Sequence, residues 1–89
     1  MIWTIEYAKS VQKSVRKLDR QTQSRLRKYL ESRLAVADDP RSLGRPLQGS
    51  QFQNLWRFRV GDYRIIAQIE DDTVRILVLR ISHRREVYR

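Results

Sequence analysis

Cysteine is absent from this chain. That excludes disulfides and thiolate metal centres, and a reducing, cytoplasmic setting is the simplest expectation. Long apolar runs are also absent, so no segment reads as a membrane span. The opening residues, MIWTIEYAKS, have neither the basic start nor the apolar run of a secretory signal. Histidine occurs once, at His83, and glycine and proline number 3 and 2. Gly44, Gly49 and Gly61 do not form a phosphate-loop pattern. The acidic pairs Asp38-Asp39 and Asp71-Asp72 sit where turns favour Asp, and neither has the histidine or further acids that a metal site needs. No metal and no cofactor are expected.

What is present is positive charge. Lys plus Arg total 19 against 10 acids, a net charge of +9, with an isoelectric point near 10.8. Such a surface attracts polyanions, and nucleic acid is the first partner to consider. Beyond Lys28 every Lys or Arg position is Arg. Arg presents a planar fork that grips phosphate in two places and stacks on bases, whereas Lys acts as a point charge. The 89 residues suffice for one domain, expected to span 1–89.

Periodicity divides the chain. Ile2 to Tyr7 alternates as a strand does. Val11, Val15 and Leu18 share a helical stripe between about Ala8 and Leu18. Asp19 is placed to cap a second helix, Arg20 to about Ala37, with Leu26, Leu30 and Leu34 spaced by four. Pro40 ends it. Arg41 to Gln51 reads as loop. Three strands follow: Phe52–Val60, Tyr63–Glu70 and Thr73–Ile81. The tail from Ser82 has room for one helical turn. The order is βααβββ, an α+β fold. Two helices pack on one face of a mainly antiparallel four-stranded sheet, because only that arrangement buries both apolar sides. The other sheet face stays open.

The segment LWRFRVGDYRII fixes what lies on that open face. A Gly61-Asp62 turn suits a two-residue hairpin with Gly in the first position. Val60 then faces Tyr63, Phe58 faces Ile65 and Trp56 faces Ala67, all on the helix side. On the open side Arg59 stands across from Arg64, and Arg57 across from Ile66. Like charges directly opposite destabilise a sheet, and a phosphate between them reverses the sign. Taking Asp71-Asp72 as another two-residue turn puts Arg75 opposite Gln68 and Leu79 opposite Arg64, with Ile81 on the same open face. The tail then leaves close to Arg64. It carries His83, the side chain best able to exchange protons near neutral pH, and Tyr88. A phenol ordinarily titrates at about 10, and neighbouring arginine charge lowers that.

Fixed cations beside one His and one Tyr suit metal-independent cleavage of RNA by its own 2′-hydroxyl. One group takes the 2′-OH proton, another protonates the leaving 5′-oxygen, and the cations stabilise the phosphorane. DNA lacks this nucleophile. Arg57, Arg59 and Arg75 are the phosphate-binding candidates, and Arg64, His83 and Tyr88 the catalytic ones. The residues do not say which of His83 and Tyr88 is acid or base.

The order βααβββ, the loop DPRSLGRPLQG, the hairpin LWRFRVGDYRIIAQI and the ending ISHRREVYR resemble the RelE group of the RelE/ParE toxin superfamily over nearly the whole chain. The resemblance implies a toxin of a type II toxin–antitoxin pair that cuts mRNA in the ribosomal A site. Its implied partners are a cognate antitoxin, mRNA and the ribosome, with DNA met only through an antitoxin complex. Carried over by position, the family's basic pair matches Arg57 and Arg59, its central arginine Arg64, its C-terminal arginine Arg84 just after His83, and its terminal tyrosine Tyr88. Arg84 joins the catalytic candidates on that ground. Two alternatives stay open: a ParE-like toxin that poisons DNA gyrase, and a non-catalytic RNA-binding platform.

Overall fold

The computed structural model describes residues 2–49 and 54–87. Strand β1, Thr4–Tyr7, alternates outward Thr4 and Glu6 with inward Ile5 and Tyr7. Helix α1 covers Lys9–Arg16 and buries Val11. Helix α2 covers Arg20–Tyr29 and buries Leu26. Asp19 caps α2 as its position predicts: its carboxylate accepts from the Thr22 N–H at 3.1 Å and the Thr22 hydroxyl at 2.6 Å. A single π turn, Leu30–Leu34, prolongs α2, and the Ala35 N–H reaches the Leu30 carbonyl at 2.9 Å. This wider turn keeps both Leu30 and Leu34 buried, and the helix ends shortly before the expected Ala37.

A short 3₁₀ turn, Pro40–Leu43, leads into β2, Arg45–Pro46. Strands β3, Leu55–Val60, β4, Tyr63–Glu70, and β5, Arg75–His83, complete the sheet. Helix α3, Arg84–Val87, follows β5 and lies against the ends of β4 and β5. The sheet has five strands in the order β1-β5-β4-β3-β2. The α+β class and the two-helix layer stand as expected. The added strand is β2, which the sequence reads as loop because two residues are too few to show a period. β1 runs parallel to β5, and the other pairs are antiparallel.

The core lies between the helices and one sheet face. Phe58, Val60, Ile65, Ala67, Ile69, Ile76 and Val78 meet Val11, Leu26, Leu30 and Leu34 there. The β3–β4 register agrees with the turn arithmetic, including Phe58 opposite Ile65 and Arg59 opposite Arg64. Gly61 has φ +58°, and within the turn it alone takes a left-handed φ, which a first-position glycine supplies without steric cost.

The β4–β5 register differs from the expectation. Four residues, Asp71 to Val74, make the turn, closed by the Val74 N–H on the Asp71 carbonyl at 3.2 Å. Glu70 therefore pairs with Arg75, and Gln68 with Leu77. A second irregularity follows. Ala67 pairs with Val78 but Ile66 pairs with Arg80, so Leu79 is an extra residue in a β-bulge. One extra residue exchanges the faces of everything beyond it. Ile81 consequently joins the core side instead of the open face, and Arg64 stands opposite Ser82, not Leu79.

Candidate functional site

The open face carries Arg57 and Arg59 from β3 and Arg64 from β4, as the alternation requires. It also carries Arg45. β2 sets Arg45 directly across from Arg57. Sequence reasoning misses this residue because nothing in RPLQ signals a strand; Pro46, which sheets tolerate at an edge, is the sole hint. Two cross-strand arginine pairs thus share one face, Arg45 with Arg57 and Arg59 with Arg64. Arg45 and Arg59 are exposed and Arg57 is half-buried. Among the described residues none of these three takes part in an ion pair.

Arg64 is different. It is 5 % exposed, and its Nη1 donates to the carbonyls of Tyr63 at 3.2 Å and Gly61 at 3.4 Å. It clamps the β3–β4 turn and does not stand free on the platform, contrary to the expectation of a side chain pointing away from the packed interior. Burial of so large a cation fits a group with hydrogen-bond partners. The Arg84 N–H donates to the Asp62 carbonyl at 2.7 Å, and the Arg84 Nε lies 3.8 Å from the Asp62 carboxylate. Arg64 and Arg84 therefore meet the same turn from two sides.

Arg75 remains on the open face, where two carboxylates pair with it. Its guanidinium binds Glu70 at 2.8 Å and Glu6 at 2.7 Å, and these hydrogen bonds raise its pKa, Glu70 first. The four-residue turn explains this. It brings Arg75 opposite Glu70, where the two-residue turn puts Gln68.

His83 is brought to the opposite side of the sheet from Arg57 and Arg59. The bulge turns it toward Tyr63, and the two rings meet edge to face at 5.3 Å. The small cavity beside it is also lined by Ser14 and Val15 of α1, by Lys17 and Leu18 just beyond that helix, and by Ile81. Its Nδ1 accepts the Arg85 N–H at 3.2 Å. Tyr88 lies outside the described residues. No three side chains among His, Cys, Asp and Glu gather to hold a metal ion among the described residues. No described helix is long and apolar enough to cross a membrane.

A five-stranded sheet with two helices behind it is an architecture already seen in solved toxins. A RelBE toxin–antitoxin complex from Mycobacterium tuberculosis superposes with a TM-score of 0.83 at 20% identity, over 93% of this chain and 92% of that one. An archaeal RelE–RelB complex from Pyrococcus horikoshii gives 0.75 at 25% identity, over 94% and 97%. Isolated Escherichia coli RelE gives 0.72 at 22% identity, over 97% and 90%. The fold is that of RelE toxins. The family model described as the ParE toxin of the type II toxin–antitoxin system parDE matches residues 5–88, and the chain belongs to that family, within the RelE/ParE superfamily. It is also 30% identical over 54 residues to the toxin RelG of Mycobacterium tuberculosis, a match spanning 61% of this chain and 61% of that relative's length.

Proposed function

We propose that this chain is a metal-independent endoribonuclease, an mRNA interferase toxin that cuts mRNA held in the ribosomal A site. The observation that carries the reading is the basic sheet face, on which Arg45, Arg57 and Arg59 lie with no acidic partner among the described residues. A fold gains nothing from opposed arginines, and a phosphodiester makes them favourable.

In this reading the 2′-oxygen attacks phosphorus and loses its proton. The bond to the 5′-oxygen breaks, and that oxygen takes up a proton. The products are a 2′,3′-cyclic phosphate and a 5′-hydroxyl. Arg59 and Arg84 stabilise the charge that builds on the phosphorane. Arg64 is a positioning residue: it holds the Gly61–Asp62 turn, to which Arg84 is tied. Tyr88 makes one of the two proton transfers and solvent water the other. His83, turned toward Tyr63, orients the start of α3 through the Arg85 N–H and takes no proton from substrate. With few proton-transfer groups of its own, the enzyme relies on the ribosome to bend mRNA into line for attack. A cognate antitoxin with acidic and apolar residues neutralises it.

A second reading, gyrase poisoning, is favoured by one finding: the family model matched over residues 5–88 bears the ParE name. Primer-extension mapping on translated mRNA, beside a gyrase supercoiling assay, separates the two. The expected result is discrete A-site cuts and unchanged supercoiling. Tyr88→Phe should slow single-turnover cleavage by about 10²–10⁴, the usual worth of a positioned acid or base, and His83→Ala should fall well short of that. Loss of supercoiling without mRNA cuts would establish the gyrase reading instead. Binding without either effect would leave a non-catalytic platform.

A further inference from the structure

The accessible charge of the platform is not centred on Arg64, which is 5 % exposed. Arg80 is exposed on β5, and a separate group of arginines lies toward the β2 edge. Arg45, Arg57 and Arg59, with Ser42, Leu43 and Gly44, line a cavity of about 290 Å³. Arg45 and Arg57 oppose each other across β2 and β3. The sequence between Gly49 and Asn54, Ser-Gln-Phe-Gln, supplies no acid to neutralise them.

The spacing is that of a repeating polyanion. Along β3, Arg57 and Arg59 are one two-residue step apart, roughly 6.7 Å, and neighbouring strands are about 4.8 Å apart. The Arg45–Arg57 pair and Arg59 are therefore offset by roughly 7 Å, a distance that arginine side chains can adjust to successive phosphates of an extended chain. A protein segment would need apolar anchors beside its acids. The cavity's one aliphatic side chain, Leu43, is already packed on the core.

We propose that this cavity is a second phosphate subsite for single-stranded RNA, with Arg45 as its principal cation, holding the linkage next to the one that is cut. The inference rests on the reading of this face as an RNA-cleaving surface. Arg45 forks onto the phosphate from β2 and Arg57 from β3, and their mutual repulsion is relieved on binding. The subsite fixes where along the strand the scissile linkage falls.

The test uses the full chain and a short RNA oligonucleotide, 2′-O-methylated throughout so that it cannot be cut, with each phosphate replaced in turn by a neutral methylphosphonate. Arg45→Ala and Arg45→Gln should each weaken binding roughly three- to tenfold, as loss of a charge-assisted contact at an open site does. The slope of log affinity against log salt should shrink by about 0.7, one single-strand phosphate contact. One methylphosphonate position should weaken binding to the parent and have no further effect on either variant. If every position acts alike on parent and variants, or the slope is unchanged, the subsite is overturned. It is overturned equally if the parent does not bind the oligonucleotide, or if Arg45 variants lose affinity for an acidic antitoxin segment and not for RNA. Cleavage on programmed ribosomes is read separately. A parent that cuts mRNA but shows no Arg45 coupling loses only the subsite. One that shows the coupling but never cuts keeps the subsite and loses the nuclease reading.

Discussion

Arg64 shows how one residue can be read correctly for position and wrongly for environment. Its place on the open face follows from alternation and a tight turn. Its burial does not, because that depends on the side chain folding onto the turn carbonyls of Gly61 and Tyr63. Two backbone carbonyls, those of Gly61 and Tyr63, accept from its Nη1. Arg64→Ala removes their donor within a buried site and should cost about 1–3 kcal/mol of stability. At about 4–8 °C per kcal/mol for a domain of this size, a thermal melt resolves that loss. An unchanged melting temperature would mean the clamp carries no load. Arg45 is the converse case. Its residue type is visible in the sequence, but only the β2 pairing makes it part of the platform. His83 is a third case, since its face is set by a bulge four residues earlier that an unbroken aliphatic run, ILVL, does not announce.

Elements with a strong local signal are legible and elements held by contact alone are not. The cap at Asp19, the stripe of α2 and the β3–β4 hairpin each combine period with a specific terminal residue. β2 has neither. It exists because Gly44 lets the chain approach β3 closely: a Cβ there would lie 2.6 Å from the Arg57 carbonyl oxygen and 2.6 Å from the Phe58 ring. Phe58 is fully buried and has nowhere to move. Gly44→Ala should therefore destabilise by about 1–3 kcal/mol, the usual cost of overpacking, and push β2 off the sheet. The readout is amide exchange at Leu47, whose N–H donates to the Leu55 carbonyl at 3.1 Å. Its protection should fall in Gly44→Ala. Full protection together with parental stability would contradict this account of β2. The β4–β5 turn escapes sequence reading for a related reason. Asp71-Asp72 looks like a complete hairpin loop, yet Val74 in a left-handed conformation, φ +51°, extends it by two residues.

Across the whole molecule the charge balance sets both reach and tolerance. A net charge of +9 steers polyanions and acidic partners toward the chain at a rate that salt suppresses. The same surplus makes the acid side of the stability profile steep. Asp19 is held below the usual carboxylate range by the Thr22 hydroxyl and then the Thr22 N–H, and Glu70 is held down chiefly by Arg75. Both favour folding fully above the unfolded value of about 4 and lose that contribution as pH falls through their lower folded values. Tyr7 and Tyr29 are displaced the other way, each mainly by burial. Their contribution is complete below a pH of about 10 and is lost as pH rises through their raised values. Melting temperature against pH should accordingly be flat from about pH 5 to 9 and decline beyond both ends. Asp19→Asn should soften the acid decline without moving the alkaline one. A profile whose acid limb is unaltered in Asp19→Asn would remove the cap from this account.

The bulge at Leu79 has a consequence for chain length. Val78 and Ile81 are both anchored on the helix side, with two residues between them where a regular strand allows one. The strand therefore holds one residue of slack. A chain shorter by Leu79 would keep Ile81 inward, Ser82 against Arg64 and His83 toward Tyr63, in a straighter strand. A comparison with any relative whose strand lacks the bulge, aligned letter by letter without a gap at position 79, would assign the entire C-terminal end to the wrong side of the sheet.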